Sequence, residues 1–348
     1  MNNIKITPIL ESLKLQKIDD ETYFSEQYSN YVSNSRMGLI YDWETKTVTP
    51  DRFFDGFKPI YSSSLDVGSA VHGMILQPES FKIVDSVDKP TGKMGAIAEK
   101  LFRYCRRRPA TPEDVKKVAK EVDYYGGNLS DKRIKEVTEK YENFRNAKIH
   151  YLQNCVDDGK VSLYLDPKSR ETSYACIRAL ENSKQIQNLL HPEPEFEGMD
   201  KPISENEQAI LLDIKVEIPD TQPFILKLKA KLDNYTIDTV NNTIIVNDIK
   251  TLGRIVSEMN VNIEKYHYNR EFAFYAFLLK LVAEKYYNVK NPIVKGNYLV
   301  VSTIPQYYTK VVPMTKKMFA EGWNEVNYLL RLIAKEVATN YKDFAEWI

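Results

Sequence analysis

The chain has 348 residues, 43% of them hydrophobic and 28% charged, and its 48 lysines and arginines are balanced by 48 aspartates and glutamates. That hydrophobic content excludes global disorder, and the length is enough for a full core, as one large domain or one domain with a sizeable insertion. A net charge of zero excludes a uniformly basic nucleic-acid surface, so any such surface must be local.

In chain order, the first sixty residues read as mixed structure rich in aromatics such as Tyr23, Phe24, Tyr28, Trp43 and Phe53. The charged start carries no apolar core of a signal peptide, and no run approaches the length of a membrane span, so a cytoplasmic, membrane-free protein is expected. Cys105, Cys155 and Cys176 show no CxxC pairing, which fits reduced thiols and rules out a four-thiolate iron–sulfur cluster. Ser62-Ser63-Ser64 caps a small-residue helix through Leu76 that carries His72 and ends at Gln77-Pro78.

Residues 91 to 160 form a polar, basic block, predicted as two or three helices broken at Pro109 to Pro112 and at Gly126-Gly127. Its run Arg103, Arg106, Arg107 with Phe102 and Tyr104 interleaved suits a DNA-tracking surface, although such runs more often mark a solvated helix face. Beyond it come a strand at Val161 to Leu165, a helix at Ser173 to Leu190 and a loop at His191 to Pro202. Three strands follow (Gln208 to Ile218, Phe224 to Leu232, Thr243 to Ile249), then a helix Glu264 to Tyr286, a strand Gly296 to Thr303 and a helix Thr315 to Ala338. This order predicts an α/β (α+β) fold with a mixed, mostly antiparallel sheet flanked by helices, in three parts at 1–90, 91–195 and 196–348.

The chemistry concentrates between Leu228 and Leu252. Alternation along the last strand points Asp248 and Lys250 to one side and Ile249 to the other. A hairpin through Val240-Asn241-Asn242 returns that strand beside the one ending in Asp233. Two carboxylates and an ammonium then form a compact site for a hard divalent cation and the water it activates. Alternating charges on a strand are usually solvated, but Ile244, Ile245, Val246 and Ile249 mark this one as central, where carboxylates rarely stand unpaired.

The ordered set Gly68-Ser69-Ala70-Val71-His72, Glu207, Leu232-Asp233, Asp248-Ile249-Lys250-Thr251, Tyr268 and Glu271 to Tyr275 resembles the PD-(D/E)xK nuclease superfamily. Within it the pattern is most similar to the exonuclease VIII (RecE-like) branch, related to RecB-type and Cas4-like nucleases. The likeness covers about residues 60 to 80 and 200 to 348, with Ser33 to Met37 resembling the branch's N-terminal region. It implies a restriction-endonuclease-like core with a helical insertion. Asp233 and Asp248 would ligate Mg²⁺ or Mn²⁺, with the Ile249 carbonyl as a third oxygen and His72 as an additional ligand or an outer-shell partner. Lys250 would position or deprotonate the attacking water and stabilise charge on the phosphorane. Glu207, with Glu205 as fallback, would be the acid of the preceding motif, and Tyr268 and Tyr275 would border the substrate cleft. One position departs from the pattern: where Gln-x-x-x-Tyr is expected, the chain has Glu271 four residues before Tyr275, so an amide donor has become an acceptor. Glu271 would then recruit a second metal, or bind Arg270 or a lysine.

The resemblance further implies a metal-dependent exonuclease that degrades linear double-stranded DNA from the 5′ end. It also implies a phage-type recombination role, a single-strand annealing protein as partner and a homo-oligomeric ring. An endonuclease or Cas4-like end-trimming nuclease is the first alternative. The second is an inactive DNA-binding or phage structural protein with a nuclease fold.

Overall fold

A computed structural model describes residues 3–55 and 61–348. The chain divides into two compact units, one made of Met1–Phe57, Ser183–Val300 and Tyr308–Ile348, the other of Lys58–Asn182 and Val301–Tyr307. The fold is mixed α/β, with a central, mostly antiparallel sheet flanked by helices.

In the first unit the sheet runs in the order β1 (Lys5–Lys17), β2 (Ile203–Glu217), β3 (Phe224–Asp238), β4 (Thr243–Leu252), β5 (Ile293–Ser302) and β6 (Thr309–Pro313). Strand β2 pairs antiparallel with β3 from Ile203–Ile237 to Val216–Phe224. The other edge of β3 is shared among three partners. Glu346 and Trp347 pair at its start, Tyr31 and Val32 run parallel beside Lys227 and Leu228, and β4 takes Asn234 to Asp238. The expected hairpin forms. Asp238 Oδ1 accepts from the amides of Val240 (3.0 Å) and Asn241 (2.9 Å), and Asn242 adopts the positive φ of 48° that closes the turn.

The helix predicted from Glu264 to Tyr286 is α2 (Tyr268–Tyr287), and its first two positions, Glu264 and Lys265, instead end a separate short helix, α1 (Met259–Lys265). The break is His267, held left-handed at φ 54° with its ring 3.1 Å from Glu325, which also takes Arg270 at 2.7 Å. Helix α2 buries Phe272, Ala273, Phe274, Ala276, Leu278, Leu279, Val282 and Ala283, a set too wide for one stripe. It therefore packs on the sheet and also on α3 (Lys316–Thr339), capped by Thr315. Arg270 reaches Asn34 Oδ1 at 2.8 Å, so the short helix Asn34–Met37 is tied to α2. Strand β1 was not foreseen. Its Pro8 and its bulge between Ile9 and Lys14 obscure the alternation, and both are tolerated on an edge strand. Lys285 stabilises the bulge by donating to the carbonyls of Leu10 (2.7 Å) and Leu13 (3.0 Å).

The second unit is mainly helical. Helix Ser63–Leu76 starts at Ser62, whose hydroxyl accepts from the Leu65 amide, and Lys89 pairs with Asp66 at 2.8 Å. Helices Gly92–Cys105, Pro112–Glu121 and Asp131–Asn154 surround Ile97, Leu101, Phe102, Val115, Val118, Tyr141 and Phe144. Their breaks fall at the proline and glycine positions read from the sequence, and Thr111 with Asp114 forms a capping box. The predicted helix Ser173 to Leu190 is interrupted: Pro167–Glu181 ends at Asn182, and Lys184–Leu190 belongs to the first unit. No helix among the described residues is long and apolar enough to cross a membrane.

Candidate metal centre

Pairing between β3 and β4 stops at Asn234–Asn247. Asp233 and Asp248 are the next residues along, so their carboxylates stand across the point where the strands part. On the other side of β3, Glu207 lies opposite Asp233, between the pairs Asn206–Asn234 and Gln208–Leu232. Three adjacent strands thus bring Glu207, Asp233 and Asp248 to one level. Carboxylate oxygens of Glu207 and Asp233 lie within 4.8 Å of each other. Glu207 has φ 54°, a left-handed conformation costing a β-carbon residue ~1 kcal/mol or more. Such strain is retained where the surroundings dictate the side chain's position.

Across the open end, Asp233 Oδ2 accepts from the Ile249 amide at 2.8 Å, which ties the strands together after their ladder has ended. Ile249 itself is fully buried on the opposite face from Asp248. Lys250 Nζ lies 2.8 Å from Asp248 Oδ2 and 3.0 Å from Glu271 Oε2, and 4.6 Å above the Tyr268 ring. Tyr275 donates its hydroxyl to Glu271 Oε1 at 3.4 Å. Of the partners considered for Glu271, the structure gives it a lysine, while Arg270 goes to Glu325 and Asn34.

Charge decides the ionisation here. Burial, reinforced by the charges of Asp233 and Glu271, raises the Asp248 carboxyl above the ordinary carboxylate range against the pull of Lys250. Burial also works against the Lys250 ammonium, yet Asp248, Glu271 and Asp233 together hold it well above the ordinary lysine value. Burial raises the Tyr268 and Tyr275 hydroxyls, so both remain neutral donors.

A second lysine completes the cluster. Lys231 Nζ lies 2.8 Å from Glu207 Oε2 and 2.6 Å from Asp20 Oδ1. The sequence carries one signal for it: a lysine two positions before Asp233 shares that residue's face by strand periodicity. Asp20 left no such signal. Glu205, the fallback for Glu207, is exposed.

The donor set suits a hard cation. Glu207, Asp233, Asp248 and Glu271 oppose the two ammonium groups of Lys231 and Lys250, and all four acids offer oxygen. Asp248 Oδ2 is buried and, apart from the nearby ammonium, receives no well-aligned hydrogen bond. The Lys250 ammonium meets that oxygen's charge at 2.8 Å, and a further cation would share it.

The remaining sequence candidates lie in the second unit. His72 is half-buried on helix Ser63–Leu76. Arg103, Arg106 and Arg107 are exposed, at the end of helix Gly92–Cys105 and just past it. One part of the expectation is corrected: Phe102 is only 6% exposed and packs against Phe144, so it is core and cannot stack on a base. Tyr104, at 54% exposed, remains available. Arg108 is committed to Asp114.

A scan against protein-family models and a search of curated proteins returned no match. Among solved structures, the chain is similar to a "Putative exonuclease" from Eubacterium rectale, with 11% sequence identity and a TM-score of 0.43, covering 95% of this chain and 90% of that one. A likeness of that order says nothing about chemistry. The class is defined by fold and site: a mixed α/β protein with an acidic, lysine-bearing centre where a central hairpin opens.

Proposed function

We propose that the chain is a metal-dependent deoxyribonuclease of the PD-(D/E)xK type, with a restriction-endonuclease-like core. The observation that carries this reading is the level row of Glu207, Asp233 and Asp248 beside Lys250. Asp233 and Asp248 would hold Mg²⁺ or Mn²⁺ together with the Ile249 carbonyl, and Glu207 would orient the water. A divalent cation bound there supplies Lewis acidity toward a phosphate oxygen and a water of lowered pKa. Lys250, kept charged by Asp248 and Glu271, serves as a fixed cation facing the phosphorane and not as a base. Tyr268 supports that ammonium from below. Glu271 restrains Lys250, with Tyr275 holding its second oxygen, which accounts for a carboxylate where the family pattern has an amide. The sequence resemblance would make His72 an additional ligand or an outer-shell partner.

Linear double-stranded DNA as substrate, attack from the 5′ end, a homo-oligomeric ring and an annealing partner in phage-type recombination also come from that resemblance. Exposed Arg103, Arg106 and Arg107 would contact phosphates. The deciding experiment is digestion of duplex DNA labelled at the 5′ or the 3′ end, compared with closed circles, with Mg²⁺ and with EDTA. Metal-dependent release of 5′ label with circles left intact is expected. Cleavage of circles would favour the endonuclease, and no cleavage in Mg²⁺ or Mn²⁺ would favour an inactive DNA-binding protein.

A further inference from the structure

Four asparagines form a line across four neighbouring strands. Asn297 Nδ2 donates to Asn247 Oδ1 at 2.9 Å, Asn247 Nδ2 to Asn234 Oδ1 at 2.8 Å, and Asn234 Nδ2 to Asn206 Oδ1 at 2.8 Å. Asn234 and Asn247 are fully buried. Their amide groups also reach the last carbonyls of helix Lys184–Leu190, Asn247 to Leu189 at 3.0 Å and Asn234 to Leu190 at 3.5 Å. Those carbonyls have no partner within the helix. Asn206 precedes Glu207, Asn234 follows Asp233 and Asn247 precedes Asp248. Because strand side chains alternate, this ladder and the carboxylate row occupy opposite faces of the sheet, one residue apart.

The ladder answers a specific difficulty. Strand register is normally selected by keeping apolar residues on the inner face. Around the centre β3 is dry on both faces, since Asn234, Tyr235, Thr236 and Ile237 are all 2% exposed or less. Inside–outside patterning cannot choose a register there. Amide pairing can, because a slip of one residue would leave buried amides without partners. Fixing register is the best-attested use of a buried polar residue.

We infer that the asparagine ladder is a register lock for the acidic row, and that Asn234 and Asn247 are positioning residues that keep Glu207, Asp233 and Asp248 level. The inference deepens the metal-centre reading and rests on it for its consequence, but the lock itself has a metal-free readout. The Ile249 amide, bound to Asp233 Oδ2 at 2.8 Å, is protected from hydrogen exchange only while β3 and β4 keep their alignment past the end of their ladder.

The test compares the full chain with Asn247→Leu, with the milder Asn297→Ser at the ladder's end, and with a core control in α3 such as Leu332→Ala, matched in melting temperature. Two quantities are measured: residue-resolved exchange of the Ile249 amide without metal, and Mn²⁺ binding followed by the spectroscopic signal of free Mn²⁺. In Asn247→Leu, Ile249 should exchange at least about tenfold faster than in the control, and the Mn²⁺ dissociation constant should rise about tenfold, the usual effect of losing an outer-shell support. Asn297→Ser should move both in the same direction by roughly threefold, and it decides the matter if Asn247→Leu does not fold. Ile249 protection that falls no further in the ladder variants than in the control overturns the inference, as does faster exchange with unchanged Mn²⁺ affinity. A wild-type chain that protects Ile249 but binds no Mn²⁺ would instead refute the metal reading, leaving the lock to be judged on exchange.

Discussion

Two lysines on neighbouring strands of one sheet are shifted in opposite directions by their surroundings. Lys229 on β3 is 7% exposed, donates to the Tyr23 carbonyl at 2.7 Å and sits 4.3 Å from the Tyr23 ring, with Phe24 and Tyr28 near by. Burial, aided by the Arg36 charge, pulls its ammonium down to about 8. Lys250 on β4 is also largely buried, yet its two carboxylate partners hold it well above the ordinary value. Burial alone would push both down, so the neighbours decide the sign. Lys250 is held as a cation, and Lys229 gives up its proton more readily than a free lysine.

The contrast is broken most sharply by substitution. Lys250→Ala and Asp248→Ala should each lower Mg²⁺-dependent cleavage by roughly 10²- to 10³-fold or more, the scale of removing a charged stabiliser of the transition state. Lys229→Met should leave the rate within about threefold, because that amine faces aromatic rings and a carbonyl and not the acidic row. Steady-state cleavage of labelled duplex measures both. Equal losses would erase the distinction drawn between the two lysines.

Metal and pH sharpen it next. Without metal, folded Asp248 retains a proton that the unfolded chain has already released, so stability falls as pH climbs from the ordinary carboxylate range toward the raised value. A bound cation needs the carboxylate, so the stabilisation by Mn²⁺ should grow with pH over the same interval and then level off. Melting temperatures with and without Mn²⁺ between about pH 5 and about pH 9 give the sign directly. A pH-independent Mn²⁺ shift would mean that Asp248 is not a ligand.

Lys229 makes the opposite contribution. Its folded value lies below that of a free lysine, so between about 8 and the ordinary lysine range the unfolded state binds more protons, and stability rises with pH. Lys229→Met should remove that rise, changing the pH 7 to pH 10 difference in unfolding free energy by about 1–3 kcal/mol. Urea unfolding at the two pH values tests it. The smallest effect is expected in the second unit. Single Arg103→Ala, Arg106→Ala and Arg107→Ala changes should weaken DNA binding a few-fold and lower its salt slope by about one each, with cleavage at saturating DNA unchanged.

Much of the first unit was legible because periodicity carries it. Apolar alternation located β2, β3 and β4, the Asn-Asn turn closed the hairpin, and Asp233, Asp248 and Lys250 converge as strand geometry requires. Local signals also marked the helix breaks at Pro109 to Pro112 and the Ser62 cap. Where the pattern is interrupted, the sequence gives no reliable guide. Pro8 and a bulge hid β1, left-handed His267 starts its helix four residues past the predicted Glu264, and Phe102 in a basic run proved to be core.

The amino-acid order alone determined which residue types would share a strand face, because a strand repeats every two residues whatever surrounds it. It could not determine which strands would be neighbours, how far their pairing would run, or which charges would meet. Those depended on contacts between residues distant in the chain: Glu207 levelled with Asp233, Lys231 reaching Asp20, Glu271 restraining Lys250, and four asparagines aligned across the sheet. Tertiary structure decided these because a buried charge or amide must find its partner wherever the fold supplies one.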